Sequence, residues 1–280
     1  MSDLQAHIRH CTAWQRQDYR TLWLGGTAIG LIRPDVAASL PSLLAEGADW
    51  RVAVDPKEPD SVGDAMDALT RELLAAGWIR KHRRERYPLL TQWGGPLLGS
   101  LDRAAVAALG VKAFGVHLNG YVRRADGVHL WIGKRADDKA VAPGELDNMV
   151  AGGQPVDLSL FENLLKECWE EAALPATVAS AALPVGAIGY TMAVHEGLRR
   201  HTLFLYDLEL PEDVIPHPND DEMQWFQLWP ATRVLAALTD GTRFKFNVAL
   251  VLIDFLIRHG VIGPDHPEYL ALIAGLRQFP

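Results

Sequence analysis

Residues 152–174 read GGQPVDLSLFENLLKECWEEAAL, and this stretch governs how the rest of the chain is understood. Ser159 followed three residues later by Glu162 is a capping box, which satisfies two amide donors that a helix start otherwise leaves orphaned. Pro175 sets the other end, because the residue before a proline is pushed out of the α region. The pattern predicts a helix over Leu160–Ala173. Within it Glu167, Glu170 and Glu171 stand at i, i+3 and i+4, which is one helical face. Like charges at these spacings cost roughly a few tenths of a kcal/mol per pair, and a cation offsets that cost. Carboxylate oxygens are hard ligands, so with no Cys or His at matching positions the set favours Mg2+ or Mn2+ over Zn2+. An acidic pair on a helix is also ordinary solvated surface. Gly152-Gly153 argues against that here, because paired glycines let a backbone turn lie close against a helix and a ligand.

Outward from this helix, strand signals flank it on both sides. Apolar and polar residues alternate in AFGVHLNGYVR (113–123) and in VHLWIGKR (128–135), with the turn signal Asp126-Gly127 between them, which predicts a hairpin. A second pair is expected over Val185–His195 and His201–Leu210 around Glu196-Gly197. The helix expected over Arg243–His259 is apolar on nearly every face, with only Asn247, Asp254 and Arg258 forming a narrow polar stripe, so it should pack on the sheet. The first hundred residues have the texture of an α+β unit. A strand is expected at Thr27–Ile32, a helix at Pro34–Glu46, and a second helix from Asp64 to Ala76 closed by Gly77. The basic run Arg80–Arg86 reads as a solvated face or edge strand, and Gln92–Ser100 as a linker.

Composition bounds the partners. The 280 residues carry 27 basic and 35 acidic side chains, a net charge of −8, so attraction to a phosphate backbone is not the global driver and no nucleic acid is expected. Two cysteines, Cys11 and Cys168, do not make a disulfide scaffold. The longest apolar stretch, Phe244–Ile257, is broken by Lys245, Asn247 and Asp254, so no membrane partner is expected. The chain reads as cytoplasmic, with assembly left open and a homodimer allowed.

The central stretch resembles a known family. Lys166-Glu167-Cys168-Trp169-Glu170-Glu171-Ala172-Ala173-Leu174 is similar to the R-E-U-x-E-E-x-G-U core of the Nudix box, U being apolar, and Gly152 stands fourteen positions before Lys166 where the box opens. Three positions depart: Lys166 for the arginine, Ala173 for the late glycine and Leu158 for the early glutamate. Lysine keeps the charge but loses the fork geometry. Ala173 suggests a helix exit that needs no left-handed residue. Glu162, four residues before Lys166, is either the capping partner of Ser159 or a substitute anchor for Lys166. Four further runs, Gly115–Val122, Trp131–Arg135, Leu146–Gly153 and Tyr206–Pro211, resemble the two-domain Nudix branch related to the front half of fungal thiamine pyrophosphokinases.

The resemblance implies a Nudix α/β/α sandwich with a mixed sheet, an α/β fold, preceded by a smaller α+β N-terminal domain. The expected division is 1–112 for the accessory domain, 113–260 for the Nudix domain and 261–280 for a C-terminal tail. It further implies Mg2+-dependent (or Mn2+-dependent) hydrolysis of a small-molecule diphosphate to a monophosphate plus phosphate. Thiamine diphosphate or an oxidised analogue is the leading substrate, a nucleotide sugar the alternative, and a non-catalytic diphosphate-binding module a third. The implied metal ligands are Glu167, Glu170, Glu171 and the Gly152 carbonyl. Lys166, Glu170, Glu171 and Glu222 are the expected catalytic set, Glu222 being equally readable as one acid of a solvated loop. Substrate contacts are expected from His117, Asn119, Arg135, Lys139, Tyr190 and Trp225, although core hydrogen bonding, solvation and core packing account for the same residues.

Overall fold

The computed structural model describes residues 3–54, 61–139 and 141–280. After a first helix, α1 (Gln5–Cys11), the chain builds a four-stranded sheet from β1 (Arg20–Leu24), β2 (Thr27–Ile32), β3 (Leu43–Glu46) and β4 (Asp49–Val52), in the spatial order β2-β1-β4-β3. The helix expected over Pro34–Glu46 is only α2 (Pro34–Ala38), and Leu43–Glu46 is a strand instead. Pro41 explains the stop, since it removes an amide donor and drives Leu40 out of the helical region. Helix α3 (Ser61–Ala75) buries Met66, Leu69 and Leu73 in the core of this unit and ends before Gly77, whose φ is 81°. Strands β5 (Arg86–Leu89) and β6 (Gly99–Asp102) pair antiparallel, so the Gln92–Ser100 segment is the connection inside a hairpin and not a linker between domains. Its Trp93 packs between Phe114 and Phe204, with ring centroids 4.9 and 4.8 Å away.

A short helix, α4 (Val106–Leu109), leads into the second sheet. Its strands are β7 (Lys112–Arg124), β8 (Gly127–Arg135), β9 (Leu146–Asp147), β10 (Val150–Gly153), β11 (Leu183–Val194), β12 (Gly197–Glu209) and β13 (Met223–Pro230). The main order is β11-β12-β7-β8-β13, with β10 on β7 and β9 on β8. The long β12–β7 pair is parallel and the others are antiparallel, which makes the sheet mixed. Both expected hairpins are present as β7–β8 and β11–β12.

Helices cover both faces. Helix α5 (Leu160–Ala172), followed by the short α6 (Ala176–Ala179), lays Leu164, Cys168 and Ala172 on Val116, Leu118 and Val150. The other face carries α7 (Ala231–Thr239), α8 (Phe246–Arg258) and α9 (Tyr269–Leu276). Val248, Val251, Leu252 and Phe255 of α8 are fully buried, each worth roughly 1.5–3 kcal/mol against exposure. Asn247 and Asp254 of its polar stripe are buried as well and Arg258 is half-buried: Asp254 accepts from Arg258 Nε and Arg277 Nη2, both at 2.6 Å. Residues 261–280, expected as a tail, carry α9, whose Leu272 and Leu276 are buried beside Ile8 and Cys11 of α1. The first helix therefore belongs to the layer under the large sheet, away from the N-terminal sheet.

The exit from α5 corrects one further expectation. Ala173 takes φ 53° and ψ 26°, a left-handed residue after all, while its amide donates to Trp169 O at 3.2 Å and that of Leu174 to Cys168 O at 3.0 Å. A Cβ in this region costs roughly 1–2 kcal/mol, which glycine avoids. Ala173→Gly is therefore expected to raise stability by about 1 kcal/mol, read as a melting temperature about 2–4 °C higher. An unchanged or lower melting temperature would contradict this account of the helix end.

Candidate active site

The site is built where β10 meets α5. Gly152 of β10 pairs with Val116 of β7, and a Cβ added to it would sit 2.3 Å from Glu167 Cγ, so the opening glycine is what admits the Glu167 side chain. Glu171 reaches the same strand and accepts the Ala151 amide at 2.8 Å. The connecting loop is tied back by Asn163 Nδ2 donating to Gly153 O (2.9 Å) and Gln154 Nε2 donating to Leu158 O (2.6 Å). Glu162 is the capping partner: it donates its amide to Ser159 Oγ (3.2 Å) and accepts that of Ser159 (2.9 Å). Lys166 does not pair with it. With Leu158 in place of an early carboxylate, the Lys166 ammonium donates to Glu167 Oε1 (2.9 Å) and Glu170 Oε2 (2.7 Å).

Burial sets the electrostatics of the glutamates. Glu171 is 6% exposed, and desolvation, followed by the neighbouring charge of Glu167, holds its carboxyl well above the usual range. Burial also raises Glu167, against the pull of Lys166. A carboxylate pair pushed upward in this way is suited to a cation, the donors are all hard oxygens, and the glycine cradle leaves the Gly152 backbone close to Glu167, so the residues fit a divalent ion. Among the described residues no three His, Cys, Asp or Glu side chains converge on one point. Glu171 is held on the Ala151 amide, while Lys166 holds Glu167 and Glu170.

Beside the strand opens a cleft of about 1200 Å3, which reaches the box at Ala151–Gly153; the three glutamates of α5 are not themselves among its lining residues. Of the residues expected to bind or act on substrate, His117, Arg135, Lys139, Tyr190 and Glu222 line it. Lys139 and Glu222 form an ion pair at 2.6 Å; burial alone would raise the Glu222 carboxyl, but Lys139 brings it below the usual range. Arg135 Nη1 (2.8 Å) and Lys245 Nζ (3.1 Å) both donate to the buried Asp147. His117 hydrogen-bonds Asn148 at 2.9 Å, and burial pulls its pKa to about 4. Tyr190 Oη lies 3.1 Å from His201 Nδ1, and burial pulls that imidazole to about 3. Both imidazoles are neutral at pH 7.

Two expected contacts are not brought in. Asn119 donates to Asp207 at 3.2 Å, and Asp207 also accepts from Arg258 at 3.0 Å, so Asn119 serves an ion network under the sheet; it does not line the cleft. Trp225 is likewise not a lining residue. The residues missed were Tyr87, Arg103, Lys245 and Asn247, all on the cleft wall. Tyr87 is the most telling, since a Cβ on Gly153 would lie 1.4 Å from its Oη. The basic run expected to be solvated contributes Arg80, Lys81 and Arg83 to the same cleft.

Comparison with known proteins follows the two units. Residues 3–113 match a family model described as "Domain of unknown function (DUF4743)". The chain is 42% identical over 221 residues to Arabidopsis thaliana "Nudix hydrolase 20, chloroplastic", covering 79% of this chain and 59% of that protein. It is 43% identical over 220 residues to "Nudix hydrolase 24, chloroplastic" of the same plant, covering 79% and 60%. The chain thus spans about three-fifths of the length of these plant relatives. An "Uncharacterized protein YJR142W" of Saccharomyces cerevisiae is 32% identical over 237 residues, covering 78% of this chain and 68% of the yeast protein. Identity at this level, across a span too long to be confined to one motif, marks common descent, and the chain belongs to the Nudix hydrolase superfamily.

Proposed function

We propose that the protein is a divalent-metal-dependent pyrophosphohydrolase that splits a small diphosphate into a monophosphate and phosphate, with thiamine diphosphate or an oxidised analogue as substrate. The observation that carries this reading is the packing of Glu167 on Gly152, which joins the carboxylate helix to the strand that enters the basic cleft. Mg2+ or Mn2+ on Glu167, Glu170, Glu171 and the Gly152 carbonyl would neutralise charge on the phosphates. Phosphoryl transfer asks the protein mainly for position and counter-charge, and Arg135, Lys139 and Lys245 offer that along the cleft. Glu222, ionised beside Lys139, accepts a hydrogen bond from the attacking water. The water oxygen bonds to phosphorus as the bridging P–O bond breaks, and its proton passes to Glu222 and then to solvent.

The cleft also suits the organic end of such a substrate. Tyr190, Phe246 and Phe114 line it, and aromatic faces attract a cationic heterocycle. The neutral His117 and His201 add no opposing charge. Asn247, 5% exposed and lining the cleft, carries an amide oxygen without a partner among the described residues, an acceptor for an amino-substituted ring. In this reading residues 113–260 form the catalytic unit and 1–112 an accessory one, with α1 packed on the former. A cytoplasmic location is part of the same reading, supported by two buried, unpaired cysteines; among the described residues no helix is long and apolar enough to cross a membrane.

The test is product analysis with Mg2+ and a panel of thiamine diphosphate, its oxidised analogues and nucleotide sugars. Thiamine-type monophosphates are expected. Turnover of nucleotide sugars alone would overturn the substrate, and no turnover with ligand-raised melting temperatures would leave a binding module.

A further inference from the structure

A helix face of carboxylates repels a diphosphate, so the cleft beside it needs positive charge. Arg135, Lys139 and Lys245 supply part of it, and one wall, from the N-terminal unit, adds Arg80, Lys81, Arg83 and Arg103. Arg103 follows β6, and the buried Asp102 before it fixes its position by accepting the amides of Ala104 (2.8 Å), Arg83 (3.1 Å) and Arg84 (3.1 Å). The backbone is tied again where the Arg103 amide donates to Glu85 O at 2.9 Å. Its guanidinium stands 5.7 Å from the ring centre of Tyr87, the residue whose hydroxyl abuts Gly153. Arg103 thus shares one cleft with Gly152, Lys139 and Glu222. One donor is used, Nη1 to Glu85 Oε2 at 2.8 Å; Nε and Nη2 have no partner among the described residues, and 51% of the side chain is open. Its charge reaches across the cleft, where it helps hold Glu222 ionised.

We propose that Arg103 is a phosphate-binding residue of the active site, gripping the diphosphate through its free Nε and Nη2 donors, so that the N-terminal unit completes the substrate site. The planar fork suits a phosphate oxygen pair as a lysine does not. Glu85 orients the fork without saturating it. Arg80, Lys81 and Arg83 on the same wall add longer-range attraction. The proposal rests on the hydrolase reading for its substrate class, but its test reads binding separately from turnover.

The probe is methylenediphosphonate, a diphosphate mimic that is not hydrolysed, titrated calorimetrically into the full chain with Mg2+, alongside kcat and KM on whichever diphosphate of the panel is turned over. Arg103→Ala is expected to weaken probe binding at least about ten-fold and to raise KM similarly, with Arg103→Lys recovering part. Glu85→Gln removes the same ion pair and so controls for a purely structural role; it is expected to keep or tighten probe binding. Probe affinity in Arg103→Ala within two-fold of the unsubstituted protein overturns the proposal, as does failure of the unsubstituted protein to bind the probe. An equal loss in Glu85→Gln overturns it too, by assigning Arg103 to holding the two units together. If the probe binds through Arg103 while no diphosphate is cleaved, the hydrolase reading fails and the phosphate grip stands.

Discussion

Glu171→Gln is expected to raise the melting temperature of the metal-free protein while lowering kcat for diphosphate hydrolysis at least about a hundred-fold. The two effects have one cause. Glu171 is buried beside Glu167, and its hydrogen-bonded partner is a backbone amide, that of Ala151, which stabilises the charge without neutralising it. Lys166 attends to Glu167 and Glu170 instead. Glutamine has the same shape and can still accept the Ala151 amide, so the substitution removes a desolvated charge and leaves the packing. A gain of about 1 kcal/mol corresponds to roughly 2–4 °C for a chain of this size. The same substitution takes away a hard anionic oxygen, so the further stabilisation that Mg2+ gives by binding the native state should shrink or vanish. Scanning fluorimetry with and without Mg2+ reads both. A melting temperature that falls by several degrees, or an unchanged Mg2+ shift, would remove Glu171 from the metal site.

The second large effect concerns stability. Asp147→Asn is expected to cost about 3–5 kcal/mol, because it leaves the charges of Arg135 and Lys245 in the protein interior without their shared counter-ion. The midpoint of thermal unfolding should fall by roughly ten degrees. The sign with pH follows from the carboxyl. Burial pushes Asp147 up, but Lys245 and Arg135 prevail and hold it below its ordinary value of 3.8. Its contribution is therefore complete above that value and lost as pH falls through the lower folded-state one. The gap between the natural protein and Asp147→Asn should accordingly narrow below about pH 4 and be constant near neutrality. Chemical denaturation at several pH values checks this, and a gap that widens on acidification would contradict it. Because Arg135 and Lys245 also line the cleft, KM should rise in the same variant.

What was legible in the chain follows from the range of the physics. The capping box obeys rules that act within one helix or one turn, and the structure places it as those rules require; Gly152 meets Glu167 through the packing of β10 on α5, while of the glutamate face Glu171 is buried and Glu170 exposed. The two hairpins were legible from alternation and a turn dipeptide. Ala173 misled because a left-handed residue usually advertises itself as glycine, whereas here the turn that returns the Leu174 amide to Cys168 O is made on an alanine. Gln92–Ser100 misled because the glycine and proline content of a hairpin connection is that of a linker. Tyr87 and Arg103 were invisible for a different reason. They lie more than forty residues before the box, separated from it by a whole sheet edge, and no periodicity links positions that only tertiary packing brings together. Asn119 was over-read, since a polar residue inside an apolar strand satisfies a buried ion network as readily as a ligand.

The pairing of α1 with α9 has a bearing on how the protein is made. The Leu4 amide donates to Glu268 Oε2 at 3.1 Å across 264 residues of chain, and Ile8 sits where a Cβ on Gly275 would lie 2.8 Å away. A pairing across 264 residues closes slowly, whereas the strands of the N-terminal sheet find partners close in sequence and can fold before it. Until α9 meets α1, Ile8 and Cys11 lack part of the apolar cover that the folded protein gives them, which makes α1 a surface for chaperones to shield.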